Sequence, residues 1–138
     1  MVSASASVFA DTNVLVYLLS ADGAKAERAE AVLALRPVIS VQVLNEFAQV
    51  ASRKLGMRWR EVADALADIR SLCAVRPLTV EVHDLAVLLV QRHALAWCDA
   101  LIVAAALDAG CRTLYTEDLQ HGQRIGRSLT VRNPFLPA

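Results

Sequence analysis

Four carboxylates occupy positions in this chain from which they could act together: Asp11, Glu46, Asp99 and Asp118. Asp11 directly follows a short apolar segment, SVFA, and Asp118 lies two residues beyond another, TLYT. Glu46 is three residues after Val43 and four before Val50, with Phe47 beside it. On a helix that spacing puts a charge on or beside the apolar stripe, where an unpaired charge is costly. Asp99 opens DALIVAAAL, the most hydrophobic stretch of the chain. Singly, each has an ordinary explanation: a turn or helix-capping aspartate for Asp11, Asp99 and Asp118, and an arginine salt bridge for Glu46. Together they define a chemistry. Two like charges about 4 Å apart repel by roughly 4 kcal/mol at an effective dielectric of about 20, so converging carboxylates need a cation or must take up protons. The histidines (His83, His93, His121) and cysteines (Cys73, Cys98, Cys111) form no metal-ligand spacing. An all-oxygen site therefore selects a hard ion, Mg²⁺ or Mn²⁺, over zinc. Such a site suits phosphodiester hydrolysis, in which the metal polarises the phosphate, orients a water and stabilises the leaving oxygen.

The elements that would carry these residues alternate in type. Short apolar, β-branched segments read as strands over Ser7–Ala10, Val38–Val41, Val75–Leu78, Thr113–Thr116 and Leu129–Arg132. Longer segments between them read as helices over Ala24–Leu35, Gln42–Leu55, Trp59–Leu72, Val80–His93 and Asp99–Ala109. Pro37 stops the first helix, while Gly56 and Gly110 close the second and the last. Val62, Leu66, Ile69 and Cys73 fall along one face of the third. Strands separated by helices pair in parallel through right-handed crossovers, which predicts an α/β sandwich. In open sheets of this kind ligands bind beyond the carboxyl ends of the strands. Asp11 and Asp118 follow two strand ends, and Glu46 and Asp99 lie on helices facing that edge. One cleft can hold all four.

The bulk numbers agree with a single domain over residues 1–138. The chain is 56% hydrophobic and 20% charged, which argues against disorder and for a substantial core. No stretch approaches the roughly 20 apolar residues of a membrane helix, and the opening MVSASAS has no basic residue and does not read as a signal peptide. A cytoplasmic protein is the expectation. An odd number of cysteines, three, without CxxC pairing reads as reduced thiols packed as small hydrophobes. Lys+Arg and Asp+Glu both total 14. That balance is permissive for nucleic-acid binding, because setting four metal-held carboxylates aside leaves a basic surplus.

The segments FADTNVLVYLL, LNEF, WCDALIVAAAL and LYTEDLQHGQ closely resemble the PIN-domain toxins of bacterial VapBC-type toxin–antitoxin pairs. The resemblance spans nearly the whole chain, in the family's order and spacing, and DALIVAAAL and LYTEDLQHGQ are its most specific parts. It implies a five-stranded parallel three-layer α/β/α domain and Mg²⁺- or Mn²⁺-dependent cleavage of single-stranded RNA. It also implies homodimerisation and inhibition by a small cognate antitoxin. Carried to matching positions, it makes Asp11 and Asp99 the principal metal ligands, with Asp118 completing the cluster. Glu46 would bind metal through water or position the nucleophilic water, and Thr12, Asn13 and Thr116 would support by hydrogen bonding. Glu117 adjoins Asp118, and the TxD spacing from Thr116 favours Asp118 as the residue facing the metal.

Two basic groups are candidates for substrate contact. Arg53, Lys54, Arg58, Trp59 and Arg60 combine charge with an aromatic ring at a helix–helix junction, suited to phosphates and base stacking. The alternative is a solvated helix end with Trp59 packed into the core. Arg124 and Arg127, beyond LQHGQ, are the second phosphate-contact candidates. The helix pair 24–35 and 41–55 carries enough apolar positions to form a groove for an antitoxin helix, or simply to pack the core. Besides an endoribonuclease, the sequence leaves open a non-catalytic binding module on the same fold and another metal-dependent phosphoesterase or DNA nuclease. The DxDxT motif of one phosphatase class is absent at Asp11.

Overall fold

The computed structural model describes residues 7–136, so the opening segment, Ser7 apart, lies outside the described residues. Strand β1 (Val8–Ala10) runs into a short helix α1 (Thr12–Val16) and a 3-10 turn (Tyr17–Leu19), followed by α2 (Gly23–Ala34). Then come β2 (Val38–Ser40), α3 (Val41–Arg53), α4 (Trp59–Leu72), β3 (Ala74–Arg76), α5 (Val80–His93) and α6 (Trp97–Asp108). The chain ends in β4 (Thr113–Tyr115), β5 (Arg124–Ile125) and β6 (Leu129–Arg132).

The α/β class expected from the sequence holds, with one difference. The sheet has six strands in the order β3-β2-β1-β4-β6-β5 rather than five. The expected five are all parallel, and the sixth, β5, is antiparallel to β6. Two residues cannot announce a strand by alternation. Only the tight return through Gly126 (φ 66°) brings Arg124 opposite Thr130 and Ile125 opposite Leu129.

Caps explain most helix boundaries. Asp22 accepts from the backbone N–H of Ala24 and Lys25, Ser40 from Val43, and Thr79 from Val82. Helix α6 ends in a Schellman arrangement: Gly110 (φ 73°) donates its N–H to the Leu107 carbonyl and Cys111 to that of Ala106. Residues Ala100–Ala106 are buried on every side of α6, as its apolar composition requires. Around it the core collects Phe9, Leu15, Ile39, Phe47, Leu114 and Leu129. Among the described residues no single helix is long and apolar enough to cross a membrane.

Three further points depart from the sequence reading. Helix α6 begins two residues earlier than read, at Trp97, so Asp99 is its third residue rather than its first. The short helix α1 was not anticipated, because five residues carry too little periodicity to declare themselves. Of the cysteines, Cys111 is buried and Cys73 half-buried, but Cys98 is exposed rather than packed as a small hydrophobe.

Strand order decides where a ligand can sit. From β1 the chain proceeds outward through β2 to β3, then returns to β4 on the other side of β1. The strand order therefore reverses between the parallel strands β1 and β4, and a crevice opens beyond their carboxyl ends.

Candidate active site

Asp11 and Thr116 stand at that reversal point. The Asp11 N–H bonds the Tyr115 carbonyl at 3.0 Å, continuing the β1–β4 ladder by one rung. Asp11 then caps α1, its Oδ1 accepting from the Thr12 N–H at 2.6 Å. Its Oδ2 accepts from the Thr116 hydroxyl at 2.7 Å. Asp11 as a whole is only 5% exposed. Burial dominates its titration and pushes the pKa up to about 7, against the pull of the Thr116 hydroxyl and the Thr12 N–H.

The other three acids reach the same crevice from separate elements. Glu46 comes from α3; its Oε1 accepts from the Thr12 hydroxyl at 2.6 Å and its Oε2 from the Gln42 amide at 2.9 Å. The expected arginine alternative is thus not what holds it. Asp118 follows β4 and accepts from the Asn13 amide at 3.2 and 3.0 Å, while its own N–H bonds the Thr116 hydroxyl at 3.1 Å. Asp99 projects from the first turn of α6, half-buried, with no hydrogen bond among the described residues. Burial raises its pKa, and the charges of Asp118 and Glu46 raise it further. Asp118 is raised by burial and then by the charge of Glu117.

All four acids line one cleft of about 250 Å³, together with Thr12, Asn13, Gln49, Val50, Cys98 and Ile102. Thr12, Asn13 and Thr116 each hold one of its carboxylates. Thr116 serves two roles at once, donating to Asp11 and accepting from the Asp118 backbone. Thr116→Val is therefore expected to cost about 1–3 kcal/mol of stability and raise the Asp11 pKa further, whereas Thr116→Ser retains both contacts. Thermal denaturation of the two variants checks this, and equal melting of valine and wild-type proteins would refute it.

Of the adjacent pair 117–118, only Asp118 lines the cleft. Glu117 turns from the cleft and accepts from the Tyr17 hydroxyl at 2.6 Å, with Lys25 lying over the Tyr17 ring. Arg124 and Arg127 are not brought to the cleft. Arg124 pairs with Thr130, which pairs with Thr113 at the start of β4, so the β5–β6 turn lies at the amino edge of the sheet. Proximity in sequence misled because an antiparallel hairpin carries the chain back to the opposite edge. Conversely, sequence reasoning missed Gln42, although its position four residues before Glu46 on one helix face would have shown it.

Among the described residues no group of three or more His, Cys, Asp or Glu side chains is arranged to hold an ion by itself. What fits a hard cation is the donor set, oxygen from four carboxylates around a small cleft. Cys98 at its rim is a poor ligand, because partial desolvation at the cleft wall and the nearby Glu46 charge raise its pKa and favour the thiol.

The PIN domain family model matches residues 8–124. The chain belongs to the PIN domain family. Among solved PIN-fold structures, it resembles the VapC20 toxin of Mycobacterium tuberculosis, described as cleaving the sarcin–ricin loop. That pair shares 26% identity over 81% of this chain and 90% of the other, with a TM-score of 0.67. A toxin–antitoxin complex from Klebsiella pneumoniae shares the fold at 24% identity and a TM-score of 0.63, covering 81% and 87% of the two chains. So does VapBC2 from Rickettsia felis, bound to a DNA fragment from its promoter, at 19% identity and 0.67, covering 91% and 97%. No curated protein matched the sequence.

Proposed function

We propose that this PIN domain is an Mg²⁺- or Mn²⁺-dependent endoribonuclease that cleaves single-stranded RNA as the toxin of a toxin–antitoxin pair. The observation that carries the reading is the convergence of Asp11, Glu46, Asp99 and Asp118 at the β1–β4 crevice, each from a different element. Family membership and the likeness to an RNA-cleaving toxin support it.

Asp11 and Asp99 would be the principal ligands, with Asp118 completing the set. Glu46 has both oxygens engaged by Thr12 and Gln42, which suits holding a water rather than direct ligation. Mg²⁺ is commonly held by one or two carboxylates and several waters, so no preassembled cage of three is required. When bound, the ion would polarise the scissile phosphate and stabilise the leaving oxygen. Thr12 and Gln42 fix the Glu46 carboxylate in one orientation, ready to accept a proton from a water in the cleft. Asn13 holds Asp118, and Thr116 holds Asp11 and the loop that follows.

Two surfaces suit the partners this reading implies. A groove of about 150 Å³, lined by Leu18, Leu19, Leu33, Phe47, Ile69 and Leu72 among others, would take an apolar antitoxin helix. It draws on α4 as well as the α2–α3 pair expected from the sequence. Val80, Val87 and Leu88 leave an exposed apolar face on α5, with exposed Trp97 following on α6, and this would favour a homodimer.

The test is cleavage of transfer RNA, ribosomal RNA and messenger RNA by the purified chain, with single-stranded DNA and a generic phosphate ester as controls. RNA-selective cleavage that requires Mg²⁺ or Mn²⁺ and stops with EDTA is expected. EDTA-resistant cleavage, or none of any RNA, would overturn the proposal.

A further inference from the structure

Next to the acidic cleft and sharing its wall lies a second depression of about 390 Å³, whose lining includes Gln42, Asn45, Glu46, Gln49, Arg53 and Trp59. Glu46 and Gln49 line both. The two spaces therefore share a wall on α3. At 1.5 Å rise per residue, Glu46 and Arg53 lie about 10 Å apart along the helix.

On that wall the Asn45 amide stands beside the Glu46 carboxylate, the Gln49 amide follows toward Arg53, and the ring of Trp59, 65% exposed, borders the depression. Packing into the core, the alternative for Trp59, is thereby excluded. Isolated exposed apolar residues are common and signify little. Trp59 differs in bordering a concavity lined by amides, a carboxylate and an arginine, whose wall is shared with the acidic cleft. Arg53 lines the same depression, and it and its neighbours in sequence Lys54, Arg58 and Arg60 are all exposed, with no ion pair to any of them among the described residues.

Single-stranded RNA matches this sequence of groups. Its unstacked bases lie on aromatic rings and offer their edges to amides, while its phosphates seek arginine and lysine. A protein helix matches it less well, because amides, a carboxylate and an arginine interrupt its apolar surface, whereas the mostly apolar groove near Leu33 and Ile69 offers such a helix a better seat. We infer that the α3–α4 groove is a nucleotide subsite for an unpaired base flanking the cleaved bond. Trp59 stacks on the base, Asn45 and Gln49 hydrogen-bond its edge, and Arg53 holds an adjacent phosphate. This deepens the nuclease reading of the cleft and rests on it.

Binding is measured in an Asp11→Asn background, so that cleavage does not intervene. The probes are a fluorescent single-stranded RNA of mixed sequence and an abasic oligomer of equal length and phosphate charge. Trp59→Ala is expected to weaken RNA binding roughly tenfold while abasic binding is unmoved, and Trp59→Phe to restore most of the loss. Arg53→Gln should weaken both probes alike. The inference is overturned if the parent binds neither oligomer, if Trp59→Ala binds RNA as tightly as the parent, or if phenylalanine restores nothing in a protein that melts normally. A Trp59→Ala variant that changes only its oligomeric state, by light scattering, would make the ring a contact between copies and also overturn it. A wild-type chain that binds RNA through Trp59 yet cuts none would instead remove the nuclease reading alone.

Discussion

Asp11→Asn is expected to lower kcat/KM for RNA cleavage by roughly a hundredfold or more, while far-UV circular dichroism stays unchanged. The substitution keeps the side chain's shape and an oxygen to accept from the Thr12 N–H, so the cap of α1 survives. It removes the negative charge that would hold the cation. Metal-assisted charge stabilisation contributes several kcal/mol, and about 2.7 kcal/mol corresponds to a hundredfold in rate. Asp99→Asn should lose as much by a different route. That carboxylate has no hydrogen bond among the described residues and lies open to the cleft, so its charge has no evident structural task. The double variant should be little worse than either single one, because groups acting as a unit are not additive. Undiminished cleavage by either single variant, in a preparation free of contaminating nuclease, would remove the acidic cluster from the chemistry.

In metal-free buffer the folded state should lose stability as pH rises from about 4 to about 8. Burial lifts the Asp11 pKa from an ordinary 3.8 to about 7, and those of Asp99 and Asp118 rise with it. Between the unfolded and folded values the native protein keeps a proton that the unfolded chain has released, so each pH step in that window favours unfolding. For Asp11 alone the loss is on the order of 4 kcal/mol once both states are ionised. A divalent cation should offset it, because it binds the ionised, folded form and not the unfolded chain. Thermal melts in EDTA and in Mg²⁺ at about pH 5 and pH 8 check this: the ion should raise Tm more at the higher pH. In Asp11→Asn the metal-free slope should be shallower. Stability that increases with pH in EDTA would show that burial does not govern these groups.

Much of this site was legible because its residues contradict their surroundings. A carboxylate on the apolar side of α3, and another in the first turn of the most hydrophobic helix, conflict with burial unless something binds there. The supporting residues were legible only through family resemblance, since Thr12, Asn13 and Thr116 look like ordinary turn residues. Arg124 and Trp59 show the limit from opposite sides. Arg124 lies near Asp118 in sequence but at the far edge of the sheet, because a two-residue strand folded back on β6. Trp59 belongs to a different helix from Glu46 yet lines the same depression, because α4 packs beside α3.

From residue order alone followed the alternation of strands and helices, the five parallel strands, the buried α6 and the identity of the four acids. These depend on local periodicity and on the cost of burying charge, both of which are properties of neighbouring residues. Tertiary structure alone decided that β1 and β4 adjoin at the reversal point and that Glu117 turns to Tyr17 while Asp118 faces the cleft. It likewise decided that Glu46 is held by Thr12 from α1. Those outcomes depend on pairings between segments as much as 105 residues apart, as for Asp11 and Thr116, and no local preference encodes which partner a side chain will meet.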